Sequence, residues 1–251
     1  METELRTKFV FESGRSLSES PEGQPLNELL SDFSKNVLEE LDKDNLVIVG
    51  GESGLGKSEL FLSSTKLKVQ AGGIVDILNQ QDRTYRVVSA QSMSASRDLE
   101  RILNEEDDSL PEVVLIDESA VMIDSKYIKF DIVKKLLDRG RKIVLVGGGN
   151  MRATEQNKVI KNGLNKYQIS VNDNQIFEFP ANTLNKLQSE QLLIALNPDM
   201  TEENAHQVID GLDKQNIPRI FRVVSHCLSK VEWNTRVAMS NFISHIKIEP
   251  I

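Results

Sequence analysis

Cysteine occurs once in the 251 residues, as Cys227. A lone thiol excludes an intramolecular disulfide and a cysteine-built zinc cluster, and it fits a reducing, cytoplasmic setting. Within FRVVSHCLSK it falls on an apolar periodicity and reads as a buried, inert side chain. Long apolar runs are also missing. No stretch approaches the ~20 residues that span a bilayer, and METELRTKFVFESGRS has no signal-type apolar segment. Trp233 is the single tryptophan, which offers no stacking platform for bases; with Phe221 and Leu228 it falls at spacings suited to core packing. The three histidines, His206, His226 and His245, are scattered without metal-ligand spacing. Basic charge is not in excess either: the formal net charge is −8. That argues against a surface devoted wholly to nucleic acid and leaves DNA as a secondary partner class.

What is present is an ordinary globular composition, 39% hydrophobic and 27% charged, on a chain long enough for one large domain and a small one. SGRSLSESPEGQP (Ser13 to Pro25) has linker composition and separates a short apolar patch, KFVF, from a helical pattern in LNELLSDFSKNVLEEL. After Asn45, strand and helix signals alternate. NLVIVG precedes a helix from about Lys57, TYRVVS precedes one around SRDLERIL, EVVLIDE precedes IKFDIVKKLLDRG, and KIVLVGG precedes a helix containing EQNKVIKNGL. QIFEFP closes the series as a fifth strand. Such alternation predicts a mostly parallel sheet covered on both faces. NEEDDS, from Asn104, reads as a solvated loop. Beyond Pro180 strand signals stop, and TLNKLQSEQLLIAL, TEENAHQVIDGLD, PRIFRVVSHCLSK and the tail from Trp233 all carry helical spacing. The expected division is an N-terminal extension and linker at 1–35, an α/β core at 36–181 and a helical domain at 182–251.

The chemistry concentrates at the first strand end. Gly51-Glu52-Ser53-Gly54-Leu55-Gly56-Lys57-Ser58 fits G-x-x-x-x-G-K-[ST] without mismatch. Glycines let backbone N–H groups converge into an anion-binding nest at a helix start, where the dipole also favours negative charge. Lys57 supplies a positive charge for β- and γ-phosphates, and the Ser58 hydroxyl is a hard ligand suited to Mg2+. Glu59 completes the segment expected to line the phosphate site. In the third strand, EVVLIDES places Asp117 and Glu118 directly after four apolar residues. They therefore belong at the carboxyl end of a buried strand, the edge where ligands sit in open α/β sheets. A nucleotide hydrolase needs one carboxylate near its metal and, frequently, a second to orient water.

These motifs resemble those of P-loop ATPases with an added catalytic-glutamate strand, in particular the AAA+ class and its signalling relatives, the STAND ATPases. GGESGLGKS resembles their Walker A and VVLIDES their Walker B. IVLVGGGN resembles the sensor 1 strand, ending in Asn150, and PRIFRVV the start of the sensor 2 helix, with Arg219 at the matching position. The resemblance covers about Asn36 onward. It implies a five-stranded sheet in spatial order 5-1-4-3-2, a helical lid and ATP bound between them. It further implies that Asp117 holds Mg2+, Glu118 polarises the attacking water, Asn150 positions that water or the γ-phosphate, and Arg219 reaches the γ-phosphate from the lid. Arg222, one turn later, competes for that last role.

The family pattern is incomplete. Before the fifth strand the chain offers Lys158, Lys161 and Lys166, with Arg152 coming early, so no arginine finger is identified. Lysine matches a phosphate less well than a planar guanidinium. This leans toward the STAND-like switches, and no helix-turn-helix module is expected after the lid. NKLQ, from Asn185, imitates NKxD poorly, and DESA is not DxxG, which disfavours a GTPase. The leading expectation is an ATPase acting on a protein or nucleic-acid partner, as a nucleotide-dependent homo-oligomer or alone. The alternative is a slow or non-hydrolysing nucleotide-gated binding module; a small-molecule kinase ranks third.

Overall fold

The structure is a computed structural model that describes residues 8–11, 24–51, 55–62, 72–104, 111–125, 129–148, 153–180, 184–197, 200–214, 219, 224 and 247–250. It divides into two compact units, one of Asn27–Pro180 and one joining Met1–Leu26 to Ala181–Ile251.

In chain order, strand β1 (Lys8–Phe11) belongs to the second of these units, and helix α1 (Leu26–Asp44) leads into the first. Asn45 ends α1 in the left-handed region, φ 58°, with its amide donating to Leu41 O at 2.9 Å. Asparagine tolerates this conformation because its short polar side chain bonds locally. The chain then turns directly into β2 (Leu46–Gly50). There follow α2 (Ile74–Gln80), β3 (Tyr85–Ser89), α3 (Ala95–Asn104), β4 (Val113–Asp117), α4 (Asp131–Asp138), β5 (Lys142–Val146), α5 (Ala153–Asn165) and β6 (Ile176–Glu178). All strand pairs in this sheet are parallel, in the order β3-β4-β5-β2-β6. Counting only these five strands, that is the expected 5-1-4-3-2.

Both faces of the central strands are covered, and every residue of β2 and β4 is buried. Period-two alternation sorts them. Leu46, Ile48, Val114, Ile116, Ile143 and Leu145 share one core cluster with Leu99 of α3, Leu136 of α4 and Ile160 of α5. In the same unit Phe33 stacks edge-on against Phe61, Phe177 and Phe179, with ring centroids 5.5, 6.1 and 5.8 Å away. α2 was not anticipated from the sequence: seven residues with β-branched members at its start make less than two turns, too short for a helical period to show.

The second unit contains α6 (Lys186–Leu196) and α7 (Glu202–Lys214). The NKLQ segment has a local purpose here. Asn185 caps α6 in a reciprocal box, its side chain accepting from the Gln188 amide at 2.8 Å while Gln188 accepts from the Asn185 amide at 3.1 Å. Thr201 opens α7, accepting from Asn204 N at 3.2 Å. One expectation fails. The tail does not end in helical structure: Lys247–Pro250 form strand β7, paired in parallel with β1 from Lys8↔Lys247 to Phe11↔Pro250. Four residues carry too little period to declare themselves, and the partner lies at the opposite end of the chain. PRIFRVVSHCLSK and the rest of the tail, including Cys227, Trp233, His226 and His245, lie outside the described residues except Arg219 and Val224.

At the amino end of the sheet, four charges close a ring. Arg83 pairs with Asp42 at 2.9 Å and Glu112 at 2.7 Å, and Lys142 pairs with the same two at 2.8 and 3.2 Å. The ring ties the end of α1 to the starts of β3, β4 and β5. Burial alone would push both carboxylates up, but hydrogen bonds from Lys142 and Arg83 outweigh it and hold Asp42 and Glu112 below their ordinary values. A depressed carboxylate contributes stability that is present at neutral pH and lost as pH falls through its folded-state value. The Glu112→Gln variant is therefore expected to lose ~0.5–1 kcal/mol at pH 7, modest because the pair is partly solvent-screened. It should also show a shallower loss of stability than wild type below about pH 4.5; urea midpoints across that range check both.

Candidate functional site

Strands β2 and β4 are buried along their whole length, and the chemistry collects at and just beyond their carboxyl ends. After Gly50 the backbone passes through Gly51; Glu52, Ser53 and Gly54 lie outside the described residues. Leu55 is buried, and Gly56 takes φ 87°, a left-handed turn that a Cβ would strain. Lys57–Phe61 wind a single wide turn closed by Leu62 N to Lys57 O at 3.0 Å. The expected helix from Lys57 is thus a five-residue π-type turn over the described stretch.

Lys57 is only 7% exposed, and its Nζ donates to Gly51 O at 2.7 Å. Burial lowers its ammonium to about 8, opposed by the negative charges of Glu118, Asp117 and Glu59. Asp117 is also buried. Burial raises its carboxyl, while hydrogen bonds from the Ser58 hydroxyl and the Glu118 amide, the latter at 2.9 Å, and the charge of Lys57 pull it down. Glu59 is raised chiefly by burial and further by Asp117. Lys57, Ser58, Glu59, Asp117 and Glu118 are therefore one electrostatic cluster, assembled from two separate strand ends.

Ser58 and Asp117, joined by a hydrogen bond, form a donor set of one hydroxyl and one carboxylate. This set fits a hard divalent cation whose remaining ligands are phosphate oxygens and water. Among the described residues, no group of three or more His, Cys, Asp or Glu side chains is arranged to hold a metal.

Glu118 stands in the left-handed region, φ 56°, a conformation that costs a non-glycine residue roughly 1 kcal/mol or more. Its carboxylate lies against the Cα of Gly148: a Cβ there would overlap the carboxylate and come within 2.8 Å of Glu118 Cα. Ser119 fixes the same turn, donating to Val146 O at 2.7 Å from a fully buried position. These bonds dock the turn after β4 onto the end of β5. Asn150, the expected sensor residue, lies outside the described residues.

Two contributors escaped the sequence reading. Gln156, fully buried on α5, accepts from Gly51 N at 3.4 Å and lies over Gly147, where a Cβ would sit 3.1 Å from Gln156 Cβ. Asn157 lies over Gly50, with Nδ2 2.7 Å from where a Cβ would be. The available signal was an amide on an otherwise apolar stripe, Ala153, Gln156, Ile160 and Leu164. Arg219, in the other unit, donates from Nε to Leu184 O at 3.0 Å and pairs through Nη1 with Asp213. His206 is likewise in that unit, bonded to Glu190 at 2.9 Å.

The structure is an open parallel sheet with a lysine, a hydroxyl and neighbouring carboxylates gathered at its carboxyl edge. Solved structures agree. Domain III of the Thermotoga maritima replication initiation protein DnaA aligns with a TM-score of 0.51 and 14% identity, over 82% of this chain and 83% of that one. The Aeropyrum pernix ORC2 protein in its ADP form aligns with a TM-score of 0.56 and 12% identity, over 90% and 70%. In its ADPNP–ADP complexes the TM-score is 0.52, again with 12% identity, over 93% and 70%. No protein-family model and no curated protein sequence matches the chain. At these identities the likeness establishes the fold alone: this chain shares the fold of these structures, with the five-stranded parallel sheet order that the resemblance implied.

The contact between Glu118 and Gly148 generates a stability test. Gly148→Ala should cost ~1–3 kcal/mol by overpacking. Adding Glu118→Ala, which removes the overlapping carboxylate, should return part of that loss in a double-mutant cycle by chemical denaturation. Strict additivity of the two changes would show that the carboxylate does not rest on Gly148.

Proposed function

We propose that the protein binds ATP with Mg2+ at the carboxyl edge of its sheet and hydrolyses it, using the cycle to drive or switch a conformational change. The observation that carries this reading is the placement of Lys57, a buried ammonium on the Gly51 carbonyl, within the cluster that contains the Ser58–Asp117 pair and Glu118. The ADP and ADPNP forms of the ORC2 protein lend support from a shared fold. Gly51 to Glu59, including Glu52, Ser53 and Gly54, would wrap the phosphates, and Ser58 and Asp117 would hold the cation. When bound, Mg2+ would neutralise developing negative charge on the phosphate oxygens. Lys57 would leave the Gly51 carbonyl for the more strongly attracting phosphate. Glu118, held over Gly148, would accept a hydrogen bond from water and orient it, so catalysis would consist of positioning and electrostatics.

Within the same reading, Asn150 would help position water, and Arg219 would contact the γ-phosphate from a helical lid at 182–251, closing on a core at 36–181 behind the 1–35 extension. The Arg219 bonds to Leu184 and Asp213 favour a second reading as well, a slow nucleotide-gated switch, because a guanidinium engaged in this way would have to be released before it could act. The partner would be a protein or DNA, the assembly a nucleotide-dependent homo-oligomer and the compartment the cytoplasm. No helix among the described residues is long and apolar enough to cross a membrane.

Calorimetry with MgATP should give saturable binding that Lys57→Ala abolishes or weakens by at least about tenfold, the loss of a charge-assisted contact. Glu118→Gln should keep that binding and lower turnover by roughly 100-fold or more; retained turnover would remove Glu118 from its role. Lys57 adds a pH test. With its ammonium near 8 in the free protein, the side chain is largely neutral at about pH 9 and is reprotonated by a triphosphate, whereas at about pH 7 it already carries its proton. MgATP binding at the higher pH should therefore take up nearly one proton. Titrations in buffers of different ionisation enthalpy measure it, and Lys57→Arg should abolish the difference between the two pH values.

A further inference from the structure

We propose that Gln156 is a positioning residue of this nucleotide site, setting the Gly51 peptide so that its carbonyl holds Lys57 ready; the inference rests on the nucleotide-binding reading above. The sheet itself cannot set that peptide. The backbone ladder of β2 is exhausted at Gly50, whose register partner is Glu178 and whose carbonyl accepts from Phe179 N at 2.8 Å. On the other side the last rung is Gly147 N to Val49 O at 2.8 Å. Gly51 is the first residue beyond the ladder, and a buried amide there needs an acceptor from elsewhere. Gln156 Oε1 supplies it at 3.4 Å, a long bond, from a side chain that is fully buried. The opposite side of the same residue, Gly51 O, receives Lys57 Nζ at 2.7 Å. Gly51 is thus gripped through its N–H by α5 and through its C=O by the phosphate-binding lysine.

The surroundings are cut to fit this arrangement. Gly147 leaves room for the Gln156 side chain, with Gln156 Cβ and Cδ only 3.1 and 3.2 Å from where a Cβ would be, and the next residue is the glycine under Glu118. Gly51 is equally tight, a Cβ lying 2.9 Å from Phe179 Cβ and 3.1 Å from Lys57 Cδ. The two glycine-bearing strand ends thus leave room for the glutamine to reach the Gly51 amide. An apolar side chain of the same length would fill the space without offering the acceptor.

Gln156→Met separates these two functions. In the full-length protein, labelled on glycine, the Gly51 amide proton should shift upfield and exchange about tenfold faster, and MgATP affinity by calorimetry should weaken about tenfold, the effect of losing one buried hydrogen bond. The thermal midpoint should stay within a few degrees, since volume is conserved. Should methionine not be tolerated, Gln156→Asn withdraws the same amide by one methylene and should produce the same pair of changes. A variant with the Gly51 amide altered but MgATP affinity unchanged would overturn the proposal, as would an unaltered Gly51 amide. Wild-type protein that fails to bind MgATP would instead defeat the nucleotide reading itself, and the two failures are told apart by the wild-type titration alone.

Discussion

Four absent β-carbons govern the carboxyl edge of this sheet. Gly50 at the end of β2 and Gly147 and Gly148 after β5 let side chains from α5 and from the turn after β4 lie directly on backbone, and Gly51 makes room for Phe179 and Lys57. Asn157 covers Gly50, Gln156 covers Gly147, and Glu118 rests on Gly148. A methyl group at any of these positions would meet a neighbour closer than van der Waals contact allows. The density of polar atoms at the site is a consequence of that clearance, because only a surface without Cβ atoms lets amides and carboxylates approach so closely.

The same crowding explains the electrostatics. Lys57, Asp117 and Glu59 are all shifted first by burial, toward their neutral forms; the lysine and the two acids then partly restore one another, while Asp117 pushes Glu59 further up. A cluster balanced in this way is sensitive to an added anion or cation. A phosphate strengthens the charged form of the lysine, and a divalent ion strengthens the charged forms of the acids. A site of this kind tightens around a ligand whose charges complete it.

At the opposite edge, Arg83, Lys142, Asp42 and Glu112 form a ring in which each charge has two partners. It binds the starts of three strands to the end of α1 and, being partly solvated, contributes modest stability. The two ends of one sheet thus divide the work. The amino edge pairs its opposite charges with one another, and the carboxyl edge gathers charges whose balance is set by burial. The left-handed backbone at Glu118 adds local strain on the side where the chemistry is proposed.

The alternation of apolar runs with helical periods was legible because the parallel strands are buried on both faces and need uninterrupted aliphatic sequence. The glycine loop and the Asp117-Glu118 pair were legible because their spacing is local. Gln156 was not, since an amide within a helical stripe acquires meaning only when α5 is laid across the ends of β2 and β5. Helix α2 and strand β7 were missed for lack of length, and β7 also because its partner β1 lies more than two hundred residues away. By itself, then, the sequence determined the class of sheet and which strand end carries the glycine-rich segment, properties set by local pattern. Only the tertiary structure decided which side chains fill the space above the strand-end glycines, because that depends on packing between segments distant in the chain.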